Sequence, residues 1–107
     1  MVGEIYTGMI AKPRASWGAM PGQLYLIWGR NMEDNFAYYE LYRSEEADFE
    51  ADENSFVTRV EQDKGYRVGI YEDIGLKEHT VYYYKVCAVN TDGIRGPMSE
   101  VFSSITK

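Results

Sequence analysis

The chain of 107 residues suffices for one domain, about the size at which a two-sheet sandwich closes around a single core. A formal net charge of -6 and the lack of any lysine or arginine cluster exclude a phosphate backbone as partner, because nucleic-acid binding draws on basic side chains that release counterions. No apolar run approaches the roughly 20 residues that a membrane span needs, so a soluble domain without membrane insertion is expected.

Residues 1–12 are weakly patterned and read as a linker or a loosely attached extra strand, with the domain proper running from 13 to 107. The opening Met1-Val2-Gly3-Glu4-Ile5-Tyr6 has no basic n-region or apolar h-region, so it is no secretory signal. Pro13 suits the start of an edge strand, since it cannot donate to a ladder, and this strand runs to about Trp17. Met20-Pro21-Gly22-Gln23 is a turn, and Leu24 to Arg30 is a second strand with Leu24, Leu26 and Trp28 on one face. A polar loop over Asn31 to Asn35 leads to a third strand, Phe36 to Arg43. Ser44 to Asn54 is acidic and is expected to be a solvated loop with room for one helical turn. Strands follow at Phe56 to Val60 and Tyr66 to Asp73, separated by a turn at Gln62 to Gly65.

From Leu76 to Asn90 runs the longest unbroken stretch of strand-favouring residues, closed by Asn90-Thr91-Asp92-Gly93. Alternation places Thr80, Tyr82, Tyr84, Val86 and Ala88 on one face and Val81, Tyr83, Lys85, Cys87 and Val89 on the other. The first set is assigned to the core, because the second contains the lysine. Tyr82, just beyond the Gly75-Leu76 corner, is placed to bury its ring and return its hydroxyl to a nearby backbone group. A last strand is expected from Pro97 to Thr106. Strands at this spacing, with no amphipathic helix, predict an all-β sandwich.

Leu76, Thr80, Tyr82, Val86, Ala88, Asn90, Gly93 and Ser99 stand at the spacing of the signature strand of fibronectin type III domains, which this stretch resembles. Glu78 occupies the position where that family often has proline. Leu26-Ile27-Trp28 resembles the Leu-x-Trp of its second strand, and Tyr39-Glu40-Leu41-Tyr42-Arg43 its Tyr-x-Val-x-Arg segment. The resemblance implies an immunoglobulin-like sandwich of seven antiparallel strands in two sheets, with Trp28, Tyr39, Leu41, Leu76, Tyr82, Tyr84, Val86 and Ala88 forming its core and corner. The wording of Tyr42-Arg43-Ser44, the acidic insertion with Phe49, and Tyr71-Glu72-Asp73-Ile74-Gly75-Leu76 looks most like modules appended to bacterial extracellular glycoside hydrolases. That narrower likeness implies a secreted or cell-surface parent, with neighbouring domains of the same polypeptide as partners.

Reactive constellations are scarce. His79, the one histidine, sits on the corner and reads as a solvated loop residue. Cys87, the one cysteine, excludes an internal disulfide and, mid-strand on the face away from the core, reads as a structural thiol. The acidic loop lacks the spacing that folds a chain about calcium, so no metal and no cofactor is expected. Asp92-Gly93-Ile94-Arg95-Gly96 does not spell an integrin tripeptide. Outward aromatics that could cover a pyranose ring are Trp17, Tyr25, Tyr42 and Tyr83. The reading that follows is a monomeric, non-catalytic spacer of a larger enzyme, with its termini at opposite ends. A carbohydrate-binding or adhesion module is the alternative, and a small hydrolase ranks last for want of a site.

Overall fold

The computed structural model describes residues 10–31, 34–61 and 68–107. Seven strands follow one another in chain order: β1 (Arg14–Trp17), β2 (Leu24–Gly29), β3 (Phe36–Ser44), β4 (Phe56–Val60), β5 (Val68–Asp73), β6 (Val81–Asn90) and β7 (Phe102–Ile105). They form two antiparallel sheets, one in the order β1-β2-β5 and the other β4-β3-β6-β7. The expected turn over residues 62–65 and the start of the strand before Val68 lie outside the described residues.

Alternation decides what fills the space between the sheets. Leu24, Leu26 and Trp28 of β2 face Tyr39 and Leu41 of β3 and Tyr82, Tyr84, Val86 and Ala88 of β6, all buried in one cluster, with Leu76 packed partly buried against it. The Trp28 ring meets Tyr39 edge-on at 5.3 Å between centroids, an arrangement the ring quadrupoles favour. Trp28 also needs the glycine opposite it in the ladder: a Cβ on Gly69 would stand 1.9 Å from Trp28 Nε1. Ile10 is buried in the same core and the Ala11 carbonyl accepts the Gly29 N–H at 2.7 Å, so the end of the stretch read as a linker or a loosely attached extra strand is bound into the sandwich. Residues 1–9 lie outside the described residues.

A buried carboxylate links the two sheets. Asp73 of β5, only 3% exposed, accepts two hydrogen bonds from Arg43 Nη1 of β3, at 2.9 and 2.8 Å, and one from the Tyr84 hydroxyl of β6 at 2.7 Å. A buried carboxylate is tolerated when its lone pairs are filled in this way.

Two strands are shorter than the sequence pattern suggests. The residues Leu76 to Thr80 are corner rather than strand, because their backbone groups bond elsewhere. The Leu76 N–H donates to the Gly22 carbonyl at 3.0 Å and the Lys77 N–H to the Tyr82 hydroxyl at 2.9 Å. Gly22 holds φ +72 in this corner, where a Cβ would stand 2.4 Å from the Leu76 carbonyl oxygen, so both its conformation and its contact require glycine. At the other end, Pro97 has no N–H to give, and the Ser99 hydroxyl takes the Val86 N–H at 3.0 Å in place of a ladder partner. Regular pairing with β6 is confined to Phe102–Ile105.

Candidate functional site

The outer face of the four-stranded sheet is not the open surface that its sequence suggests. Its β6 row carries Cys87 and Val89, both fully or almost fully buried, which pack with Tyr42 of β3 and Phe49 of the acidic loop into a second, smaller apolar cluster. The loop forms no helical turn. It folds over the sheet because Phe49 is its one large apolar side chain. The Lys85 ammonium donates to the Phe49 carbonyl at 2.8 Å and lies 4.9 Å from the ring centroid, and the Arg43 N–H donates to the Ser55 carbonyl at 2.8 Å. The expectation of a purely solvated loop is corrected here: its carboxylates face water while Phe49 seals the sheet.

Beside this seal opens a cleft of about 400 Å³, lined by Glu40 and Tyr42 of β3, by Ala51, Asp52 and Glu53 of the loop, by Phe56 of β4, and by Arg95 and Met98 beyond β6. Glu40 forms its floor. It is 7% exposed, and its Oε1 accepts from Arg95 Nε at 2.5 Å and from the Tyr42 hydroxyl at 3.1 Å, with the Cys87 thiol at 4.0 Å. Oε2 accepts no hydrogen bond from the described residues. Burial pushes the Cys87 thiol up to about 12 and the Tyr42 hydroxyl up to about 12, and the Glu40 charge adds to both. The hydrogen bond to Glu40 and its charge hold the Arg95 guanidinium further up still.

The candidates singled out from sequence separate in space. Trp17, 60% exposed, pairs with Leu24 and so has the core parity, but it stands at the end of the sandwich with the Lys107 ammonium 5.8 Å from its ring. Tyr25, 39% exposed, lies on the outer face of the three-stranded sheet between Ser16 and Glu72. Tyr83 is half-buried against the second cluster on the other sheet, and Tyr42, read as an outward aromatic, is buried beneath the loop. Tyr42 and Tyr83 share the second cluster, whereas Trp17 and Tyr25 belong to the other sheet. His79 is exposed on its turn, held at φ +52, and Cys87 is sealed. Among the described residues no group of three or more His, Cys, Asp or Glu is placed to hold a metal ion.

Sequence reasoning missed Glu40 and Arg95. The available signal was a lone charge at the centre of Tyr38-Tyr39-Glu40-Leu41-Tyr42, on the parity of Tyr38 and Tyr42. Nothing in the chain links it to a residue on the far side of β6.

The whole arrangement superposes on solved structures. A Fn3-like protein from Clostridium thermocellum matches with a TM-score of 0.72 at 19% identity, over 94% of this chain and 95% of that one. A fibronectin type III domain of human fibronectin type III domain containing protein 3 matches with a TM-score of 0.69 at 23% identity, over 99% and 93%. The fold is that of a fibronectin type III domain. Part of a pectate lyase from Pectobacterium carotovorum also superposes, with a TM-score of 0.64 at 15% identity over 90% of this chain and 27% of the lyase. No family model and no curated protein matches the sequence.

Proposed function

We propose that this fibronectin type III fold serves as a non-catalytic spacer and interaction module of a larger secreted carbohydrate-active enzyme, where it sets the distance between neighbouring domains. One observation carries the reading: the first and the last described residues lie at opposite ends of β2. The Ala11 carbonyl bonds the Gly29 N–H at the finish of β2. The Lys107 ammonium lies 5.8 Å from the Trp17 ring and the Lys107 carbonyl accepts the His79 N–H at 3.4 Å, beside the start of β2. Strands rise about 3.3 Å per residue, so a six-residue β2 keeps the two points roughly 20 Å apart, with little slack in a hydrogen-bonded sheet.

The chemistry supports a passive role. The histidine is solvated and the thiol is sealed, so neither a nucleophile with its base nor a metal cluster is assembled among the described residues. The likeness to a segment making up 27% of a pectate lyase supports a place beside a catalytic domain. The scattered positions of Trp17, Tyr25 and Tyr83 favour a spacer over a sugar-binding face, which gathers its apolar and polar groups in one place.

The test pairs small-angle scattering of the parent enzyme, with and without this domain, with a glycan array on the domain alone. A maximum dimension shortened by one domain length on deletion, with a silent array, is expected. Saturable glycan binding lost on Trp17→Ala, Tyr25→Ala or Tyr83→Ala would replace the spacer with a carbohydrate-binding module.

A further inference from the structure

The end of the sandwich where Lys107 lies carries an apolar surface that a freely jointed spacer does not need. We infer that it is the docking face for the domain that follows Lys107 in the same polypeptide, so that the module holds this neighbour in a fixed orientation. The inference rests on the spacer reading and deepens it, from a distance that is held to an orientation that is held.

Trp17, Met20 and Ile74 are 60%, 64% and 68% exposed, whereas the other exposed large apolar side chains among the described residues, such as Tyr25, Phe56 and Ile105, lie at 38–43%. All three belong to one end. Trp17 pairs with Leu24 and Leu24 with Asp73, so β1, β2 and β5 form a single row here; Met20 sits in the turn joining β1 to β2, and Ile74 follows Asp73. Neighbouring strands are about 4.8 Å apart, which puts Trp17 and Asp73 roughly 10 Å apart with the turn between them. Three side chains exposed to this degree offer on the order of 400 Å² of apolar surface, the size at which a patch on a monomer marks an interaction site. The opposite end differs in kind: its loops present Asp34, Asn35, Thr91, Asp92 and Gly93 to solvent.

Two observations choose the occupant. First, the chain is pinned to this end up to Lys107. The Thr106 N–H donates to the Thr80 carbonyl at 3.0 Å, the Thr106 hydroxyl donates to the Lys77 carbonyl at 2.6 Å, and the Lys107 ammonium lies 5.8 Å from the Trp17 ring. A domain continuing from Lys107 starts on the patch, at the millimolar effective concentration that a short connection gives, and needs little affinity of its own. Second, the area suits such a neighbour and is small for a free partner. Interfaces between domains of one chain begin at about 600 Å² of buried surface, whereas a stable complex of separate chains takes about 1,600 Å². A face of roughly 400 Å² on each side meets the first requirement and falls short of the second, which argues against a second copy as the occupant.

The test is hydroxyl-radical footprinting of the full-length parent and of a version that stops at Lys107, with oxidation read by mass spectrometry. Trp28, buried in the core, reports that the domain is folded, and Tyr25, on the outer sheet face, reports an equal dose. Met20 and Trp17 should be oxidised about three-fold or more slowly in the full-length protein, with Tyr25 unchanged, because oxidation follows exposure. Met20→Ser combined with Ile74→Ser in the full-length protein should return Trp17 to the faster rate. If the shortened version exposes Trp28, this double substitution decides, and an unchanged Trp17 rate overturns the proposal. Equal rates in the two proteins, a parent with no domain beyond Lys107, or protection in the shortened version that grows with its concentration would also overturn it, the last in favour of a second copy. Equal rates in a parent that shortens on deletion of this domain would remove the docking face and keep the spacer. Protection in a parent that does not shorten would keep the docking face and remove the spacer.

Discussion

The Tyr84 hydroxyl of one sheet donates to the Asp73 carboxylate of the other across 2.7 Å, in the same place where Arg43 grips both oxygens of that carboxylate. The sandwich is therefore pinned by a polar contact inside its apolar core. Removing the carboxylate strands two partners at once, so Asp73→Ala should destabilise by about 3–5 kcal/mol, whereas Tyr84→Phe, which removes one donor, should cost about 1–3 kcal/mol. Urea unfolding with an unchanged m-value would measure both. Equal effects would mean that Arg43 contributes nothing to the contact.

Trp28 and Gly69 form a lock in which the indole fills the space a side chain would occupy. Trp28→Ala should cost about 3–5 kcal/mol through the cavity it leaves. Gly69→Ala should cost about 1–3 kcal/mol through overpacking, because the added methyl meets a buried ring and not a flexible tip. Loss of less than about 1 kcal/mol for the tryptophan would contradict its place in the core.

Tyr82 and Tyr83 are neighbours with opposite duties. The Tyr82 hydroxyl accepts the Lys77 N–H at 2.9 Å, whereas no such contact holds Tyr83 among the described residues. Tyr82→Phe should therefore cost about 1–2 kcal/mol and Tyr83→Phe under about 0.5 kcal/mol. Thermal melts of the two variants side by side give the comparison.

Phe49 is expected to control access to Cys87. In the native domain the thiol should resist a disulfide reagent until the chain opens, since it is fully buried and pushed up to about 12. Phe49→Ala should lower stability by about 3 kcal/mol and raise the labelling rate at neutral pH. A labelling rate unchanged by this substitution would show that the loop is not the cover.

Alkaline pH should lower the stability of the domain in two stages. Burial raises Cys87 and the Tyr39, Tyr42 and Tyr84 hydroxyls, so the folded chain holds protons that the unfolded chain releases. The stabilisation is complete below the ordinary thiol range and is lost as pH climbs, first through Cys87 from about pH 9 and then through the phenols from about pH 10. Each such group contributes a slope of about 1.4 kcal/mol per pH unit in its window. Cys87→Ala should delay the onset by roughly one pH unit in guanidinium titrations. A stability profile flat to about pH 11 would rule out this burial.

Much of this was legible from the amino acids. The parity of Thr80 to Val89 assigns Tyr82, Tyr84, Val86 and Ala88 to the core without reference to any other strand, because successive side chains must alternate. The spacing of Leu26-Ile27-Trp28 does the same for β2. Strand ends were less legible, since they depend on where backbone groups find partners: Gly22 draws Leu76 into a corner, and Ser99 Oγ displaces a ladder bond.

Side and burial are different quantities, and that difference separates what each level decides. The chain alone determined an all-β sandwich and which way its side chains point, because backbone geometry is local and repeats every two residues. Tertiary structure decided what lies over each face. Trp17 has the core parity and is exposed because the sandwich ends there, whereas Tyr42 and Cys87 point away from the core and are buried because Phe49 folds back on them. The same holds for the cleft. Glu40 and Arg95 are 55 residues apart, and only the closing of the loops beside β6 brings one charge onto the other.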